Sequence, residues 1–434
     1  MRILVEPSDY ILRNVGDMAM MQIAVERLSV LWPNASIQIL SDVPDRMPTF
    51  APNARALDSA GRQIWHRPGY LAGRLEAYLP GWLRERIRTF ERSLRRRWPA
   101  LVAFILRRKL RWAGYDDQAL NEFLTAVSEA DLVIANGMGG ITDTFPEYAS
   151  ELLDTLQLAI RRGVVTAMVG QGMGPLCDPA LRAQAQRVLP QVDFLSLREE
   201  RAGRPLLRAL GVAEERILTT GDDAIELAYA QRQPLIGDGF GVNLRLSSYA
   251  GVDEQLVKQL RPLLQSAARR YCAPMIPVPI SGVPGEADAE TIRQLLHGYE
   301  QQPVDCDEEV DTPLKVIRRI QRCRVVVSGS YHAAVFALAM GIPAIGLAGS
   351  AYYEDKFLGL ADQFGPGCGV VFLHDPDLPA RLACAIDEAW QCAGQIRPQL
   401  LAAAARQVEL SHAAYRRIYE LVESRRKSAQ LHHR

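Results

Sequence analysis

Short apolar runs and helical stretches alternate along most of this chain. Short apolar runs, the clearest being the β-branched 325–327, predict strands over residues 2–6, 36–40, 194–197, 216–220, 240–244, 275–279, 325–327 and 342–347. Two further runs, DLVIANGMGGITD from Asp131 and VVTAMVGQGMGP over 164–175, open as strands and pass into glycine-rich turns. Helical periodicity falls between them, over 18–31, 151–162, 179–189, 199–210, 253–270 and 287–299, and 313–321 leads into the strand at 325. A longer helical pattern covers 399–426, and a ragged end carries His432 and His433. Strands that alternate with helices predict an α/β fold with parallel, doubly wound sheets. The segment QRQPLIGDG (231–239) reads as a linker between two such units. The expected organisation is an N-terminal domain over 1–234, a second over 235–400, and a C-terminal helix and tail over 401–434.

The stretch VVVSGSYHAAVFALAMGIPAIGL (325–347) is the clearest single unit: strand, tight turn, apolar helix, strand. Gly341 suits the end of that helix. A helix that begins just past a strand points backbone N–H groups, and the positive end of its dipole, at whatever sits beyond the strand. Ser328, Ser330, Tyr331 and His332 crowd that point, which makes it a candidate anion pocket with a proton donor attached. A plain capped turn is the structural alternative.

The other strand ends carry similar chemistry. After the first strand comes Asn14-Val15-Gly16-Asp17, with Asp17 as the expected helix cap or, with Asn14, a group that touches substrate. After 131–135 come Gly137, Gly139, Gly140 and Asp143, and after 164–170 come Gln171, Gly172 and Gly174. Glycine lets a backbone approach a ligand closely, but the spacing is a poor match to a dinucleotide fingerprint. Arg198 ends one strand; Asp222 and Asp223 follow another; Asn243 and Arg245 end a third. A parallel sheet gathers all of these on the rim where ligands bind.

Residues 60–114 break the pattern. Strand signal fades, and Arg84, Arg86, Arg88, Arg92, Arg95, Arg96, Arg97, Arg107, Arg108, Lys109 and Arg111 interleave with Trp65, Trp82, Phe90, Trp98, Phe104 and Trp112. This predicts a helical insertion that presents its arginines together, either to an anionic membrane surface or simply to solvent.

Composition narrows the class of function. The formal net charge is zero, which removes the global field expected of a nucleic-acid binder. Seven scattered cysteines, Cys306 among them, form no C-x-x-C pair and point to free thiols and to no metal site. The N-terminal residues lack a signal-peptide pattern, and the chain lacks an apolar run of roughly 18 residues that would span a bilayer. A cytoplasmic protein, peripheral at the inner face of the membrane, is the expectation.

Taken in order, these motifs resemble the polysaccharide pyruvyl transferase family. The likeness rests on N-V-G-D at 14–17, Gly139-Gly140 with Asp143, G-Q-G-M-G-P at 170–175 and L-S-L-R-E at 195–199. It continues through G-D-D-A at 221–224, S-G-S-Y-H at 328–332, and Lys356 after the following strand. The resemblance implies two Rossmann-type domains arranged as in glycosyltransferase-B folds, with the active site in the cleft. It also implies transfer of a pyruvyl group from phosphoenolpyruvate to a sugar of a cell-surface polysaccharide or its lipid-linked precursor, as in exopolysaccharide biosynthesis. Phosphoenolpyruvate is then a donor substrate, and no cofactor or metal is expected. Ser330 departs from the family, which commonly carries arginine there; Arg245 and Lys356 are the alternative cations.

On that reading His332 is the acid or electrostatic stabiliser, since an imidazole titrates near neutrality. Asp17 or Asp143 takes the acceptor's proton, and Arg198 and Arg245 hold anionic groups. Two rivals stand beside it: a glycosyltransferase with a nucleotide-sugar donor, and a non-catalytic binding protein on the same fold.

Overall fold

The computed structural model describes residues 1–67, 69, 73, 78–285, 287–300 and 311–432. Cys306, His433 and part of the 60–114 insertion lie outside the described residues. The first sheet contains β1 (Arg2–Glu6), β2 (Ser36–Ser41), β3 (Ala54–Asp58), β4 (Leu132–Ala135), β5 (Met138–Ile141), β6 (Val165–Met173), β7 (Phe194–Leu197) and β8 (Ile217–Thr219). Its order is β3-β2-β1-β4-β6-β7-β8, with β5 paired to β6. The second sheet contains β9 (Gly239–Asn243), β10 (Met275–Pro277), β11 (Cys323–Ser328), β12 (Ala344–Ala348) and β13 (Cys368–Phe372), in the order β10-β9-β11-β12-β13. All the strand pairings in these two sheets are parallel.

Both sheets are covered on two faces, so their central strands are buried throughout and mostly apolar. Every residue of β4, β6, β7, β9 and β12 is buried. Strand order reverses beside β1 and β4 in the first sheet and beside β9 and β11 in the second. Loops that leave such neighbours diverge to opposite faces and open a crevice at the carboxyl edge. The two crevices face one another, and most of the candidate chemistry follows these four strands.

A single helix, Leu378–His432, closes the molecule. It is longer than the 399–426 pattern and runs unbroken past residue 400, with Pro398 inside it. Its far half docks on the first domain: Trp32 Nε1 donates to Glu423 (2.9 Å) and Arg425 pairs with Asp193 (2.7 Å).

Several local expectations change. The first long helix starts at Val15, not Met18, because Asn14 caps it. The strand Ala54–Asp58 and the helix Gln118–Ser128 add to the elements expected from the sequence. Gln171 to Met173 continue β6 rather than forming a turn, since β5 and β7 flank them.

The insertion is helical over Ala60–His66, Gly81–Arg97 and Pro99–Trp112. Its arginines do not share one face. Arg95 is buried and donates to the Arg67 carbonyl (2.6 Å), Arg96 holds Asp154 (2.7 Å), Arg107 holds Asn121 (2.6 Å) and Arg92 pairs with Glu85 (2.6 Å). These donors satisfy local acceptors before they can meet anything outside. No helix among the described residues is long and apolar enough to cross a membrane.

Candidate active site

The loop after β1 is built by one carboxylate. Asp9 accepts the backbone N–H groups of Ile11 (3.0 Å), Arg13 (2.6 Å) and Asn14 (2.8 Å). Asn14 Oδ1 then accepts from Gly16 (3.0 Å) and Asp17 (3.4 Å), which caps the helix. Asp17 is therefore not the cap, and its carboxylate faces the cleft from the first turn. Val15 N–H donates to the Ile280 carbonyl (2.9 Å) and Gly282 N–H to the Arg13 carbonyl (2.7 Å). These bonds clasp the loop to the second domain.

From the second domain, β11 delivers the turn 328–330 and the helix Tyr331–Ala339. Ser328 Oγ accepts from Ser330 N–H (2.8 Å) and donates to the Ser330 carbonyl (2.8 Å), so this hydroxyl shapes the turn and does not face the cavity. Ser330 occupies the position before the helix, makes no capping bond through its side chain, and lines the cavity. His332 projects across the interface onto Gly16. A Cβ on Gly16 would sit 2.1 Å from the imidazole Cγ and Nδ1, so a larger residue there would displace the ring.

His332 Nε2 lies 3.5 Å from Asp222 Oδ2, and Arg198 Nη1 lies 3.6 Å from the same oxygen. Burial by itself raises the Asp222 carboxyl; the adjacent His332 imidazole, with Arg198, outweighs it and holds the group below its ordinary range. The Arg198 guanidinium stacks on the Tyr331 ring, 4.3 Å from its centroid. Its Nε and Nη2 are buried with no partner among the described residues. Gly139 and Gly172 make room for it: a Cβ on either would fall within 2.8 Å and 2.6 Å of guanidinium nitrogens. These glycines admit a protein side chain, where the sequence had suggested close approach of a ligand.

Two more cations complete the wall. Arg245 is held by Asp288 (2.8 Å) and by the Tyr249 hydroxyl (2.8 Å). Lys356 Nζ rests 3.6 Å from the Tyr352 ring centroid, with no ion-pair partner among the described residues. Desolvation first, then the neighbouring Arg198, push the Lys356 ammonium well below its usual pKa, with Asp17 opposing. Asp17 moves the other way: desolvation raises its carboxyl to about 6, against the pull of His332. The Tyr352 hydroxyl crosses the cleft to the Gly139 carbonyl (2.9 Å).

These groups surround one cavity of about 290 Å³. Asn14, Asp17, Gly139, Gly140, Arg198, Arg245, Ser330, Tyr331, His332 and Lys356 line it, while Gly16 and Gly172 stand behind His332 and Arg198. Others are elsewhere. Asp143 accepts the backbone N–H groups of Cys177 and Asp178 and braces that loop. Asp223 joins the C-terminal helix, accepting from Arg27 (3.2 Å) and from the Tyr415 hydroxyl (2.8 Å). Asn243 donates to Asp288 (2.8 Å) and to the Val278 carbonyl (2.8 Å), and Gln171 to the Asn136 carbonyl (2.7 Å). Gly174 bends the chain past β6 with φ of 86°. Burial of these amides and carboxylates among backbone groups explains the change: each satisfies the fold first.

Asp222 beside His332, and Ser8, Tyr148, Tyr249, Tyr352 and Tyr353 on the wall, join the site without having stood out in the sequence. Asp222 stands beside Asp223 at a strand end, so position gave a signal but could not choose between them. The tyrosines of 352–353 follow β12, a rim position like the others. Among the described residues no cluster of three or more His, Cys, Asp or Glu is arranged to hold a metal ion.

Comparison with known proteins gives a family and a fold. The sequence profile described as polysaccharide pyruvyl transferase matches residues 14–350. No curated protein sequence matches. Among solved structures, a UDP-GlcNAc 2-epimerase from Neisseria meningitidis bound to UDP-GlcNAc superposes with a TM-score of 0.54 at 10% identity, covering 98% of this chain and 100% of that one. A glycosyltransferase from Rickettsia africae gives 0.51 at 11% identity, covering 97% and 98%. A ugt transferase from Siraitia grosvenorii in complex with UDP gives 0.51 at 10%, covering 97% and 99%. At such identities the likeness speaks for the fold alone, and the fold is the glycosyltransferase-B arrangement of two Rossmann-type domains.

Proposed function

The chain belongs to the polysaccharide pyruvyl transferase family, and on that premise we propose that it transfers the pyruvyl group of phosphoenolpyruvate to a sugar. Family membership implies a transferase with a sugar acceptor. The donor, and an acceptor in an exopolysaccharide or its lipid-linked precursor at the inner face of the membrane, are our reading. The observation that carries it is the meeting of Arg198, Arg245 and Lys356 with His332 and Asp17 in one interdomain cavity.

Phosphoenolpyruvate brings a phosphate and a carboxylate, and a site for it needs cations and N–H donors in two directions. Arg198 supplies two buried unpartnered nitrogens on one side, and Arg245 stands anchored by Asp288. Burial first, and then the nearby Arg198, disfavour the charged form of Lys356, and an entering polyanion would favour it. On this reading the three together replace the arginine that the family commonly carries at position 330.

In the reaction, a proton adds to the methylene carbon of the enol ester and one acceptor hydroxyl attacks the adjacent carbon. The carbon–oxygen bond to phosphate breaks, and a second hydroxyl closes the ketal. The two hydroxyl hydrogens end on the new methyl group and on the departing phosphate, so atoms and charge balance. His332, pinned by Asp222 and packed against Gly16, delivers the proton. Asp17, reaching in from the other domain, accepts one from the attacking hydroxyl. Asp222 is a positioning residue.

The test is thermal protection and phosphate release with phosphoenolpyruvate, against a panel of nucleotide sugars. Ser330, which lacks the arginine's charge, favours the nucleotide-sugar rival. Ser330→Arg separates the two: tighter phosphoenolpyruvate binding supports our reading. Loss of activity with a nucleotide sugar, and no phosphoenolpyruvate affinity in either protein, overturns it.

A further inference from the structure

Two adjoining helices outside the cavity, Gly81–Arg97 and Pro99–Trp112, expose an unusual surface. Eight of the fifteen exposed large hydrophobic side chains among the described residues fall between residues 78 and 115, so exposure of apolar surface is concentrated here. The periodicity is helical. In the first helix Trp82, Arg86, Phe90 and Arg97 are exposed and recur four or seven residues apart, which places them on one face; Glu91 and Arg95 are buried on the other. In the second, Leu101, Phe104, Arg108 and Trp112 repeat the spacing, with Val102, Leu106 and Leu110 buried behind them. Trp82 is 66% exposed and Trp112 84%, far beyond what a core-seeking indole tolerates without a reason.

We propose that this double face seats on an anionic lipid surface. Charge complementarity selects that occupant. Arg97 lies over the Trp98 ring at 5.6 Å and Arg108 over the Phe104 ring at 5.7 Å, so cation and aromatic ring come as pairs. Amphipathic helices that lie in a bilayer interface use the same combination, rings at headgroup depth and arginines among the phosphates. The acid on the first face, Glu85, is already paired with Arg92 at 2.6 Å, which leaves the face net positive. Arg95 and Arg96 take no part, because they are held by the Arg67 carbonyl and Asp154. The proposal is independent of the donor: it concerns where the protein sits.

Flotation of the full chain with phosphatidylcholine vesicles, with and without phosphatidylglycerol, at physiological salt tests it. The protein should float with the anionic vesicles only. Arg86→Gln, Arg97→Gln and Arg108→Gln together should weaken binding by roughly 10²-fold, about fivefold for each charge near the surface. Trp82→Ser with Trp112→Ser should abolish it, while Arg96→Gln should leave it unchanged. The surface variants should melt where the parent does, since the replaced side chains are exposed. Absence of flotation by the parent protein overturns the proposal, as does unaltered binding of the triple variant. So does a stable dimer in sedimentation that the Trp82→Ser, Trp112→Ser protein loses, because the face would then belong to a second copy.

Discussion

Arginines gather in two regions of this molecule, the interdomain cavity and the helices 81–112, and their surroundings differ. In the cavity Arg198 is almost fully buried, backed by glycines and tied to Asp222. On the helices Arg97 and Arg108 lie over exposed rings. A charge out of water interacts strongly with its neighbours and shifts their protonation; a charge in water does so weakly. The cavity can therefore orient and polarise one small polyanion, whereas the helical face can only add modest contributions over a broad surface. On the proposed readings the same residue type serves two purposes because burial differs.

The largest effect should follow from His332. Replacing it with alanine should lower turnover by roughly 10²–10⁴-fold while donor affinity changes little, the signature of a lost general acid. Asp222→Asn should show a smaller loss with a displaced pH profile, because it acts through the imidazole. An unchanged turnover for His332→Ala would remove the cavity side of the comparison and leave a binding protein on this fold.

Next in size is Arg198→Gln. Charged hydrogen bonds contribute about 1.5–3 kcal/mol each, so the donor KM should rise on the order of 10–10²-fold. Isothermal titration with phosphoenolpyruvate reads this directly, and equal affinity would assign the donor's anions to other cations.

Asp17 gives a pH-dependent prediction. Its folded pKa of about 6 exceeds the ordinary 3.8, so the fold favours the protonated form. Stability from this group is present below about pH 4 and is lost as pH rises toward 6. Asp17→Asn should then raise stability at neutral pH by on the order of 1–3 kcal/mol in chemical denaturation, while activity falls. In the parent enzyme, activity should decline as pH drops through about 6, where the base takes up a proton. A Tm lowered by Asp17→Asn at neutral pH would contradict this account.

The smallest and sharpest contrast lies between neighbours on one helix. Arg96→Gln, which breaks the bond to Asp154, should cost about 1–2 kcal/mol and leave vesicle binding alone. Arg97→Gln should change stability by less than about 0.5 kcal/mol and weaken vesicle binding. If both variants behave alike, burial does not sort the arginines as described.

Much of this was written in the one-dimensional pattern. Short apolar runs such as the β-branched 325–327 and FLSL at 194–197 mark buried strands because a parallel sheet covered on both faces leaves no polar side. Glycine and charged residues follow those runs because the carboxyl edge is where loops and ligands meet, so Asn14, Arg198, Arg245 and His332 were legible as site candidates from position alone. The helices Ala60–His66, Gly81–Arg97 and Pro99–Trp112 were legible too, from the lack of alternation there. What the pattern could not decide was which of several polar groups at one strand end turns toward the cleft. Asp222 and Asp223 are adjacent, yet one faces His332 and the other the C-terminal helix. Asp143 follows a glycine turn like a catalytic acid, yet two backbone N–H groups claim it. Arg95, Arg96 and Arg97 are consecutive, yet only the third is exposed. Strand and helix identity depend on local period and composition, which a sequence carries. The direction of one side chain depends on which acceptor from a distant segment reaches it first, and only the packing of the two domains and the closing helix settles that.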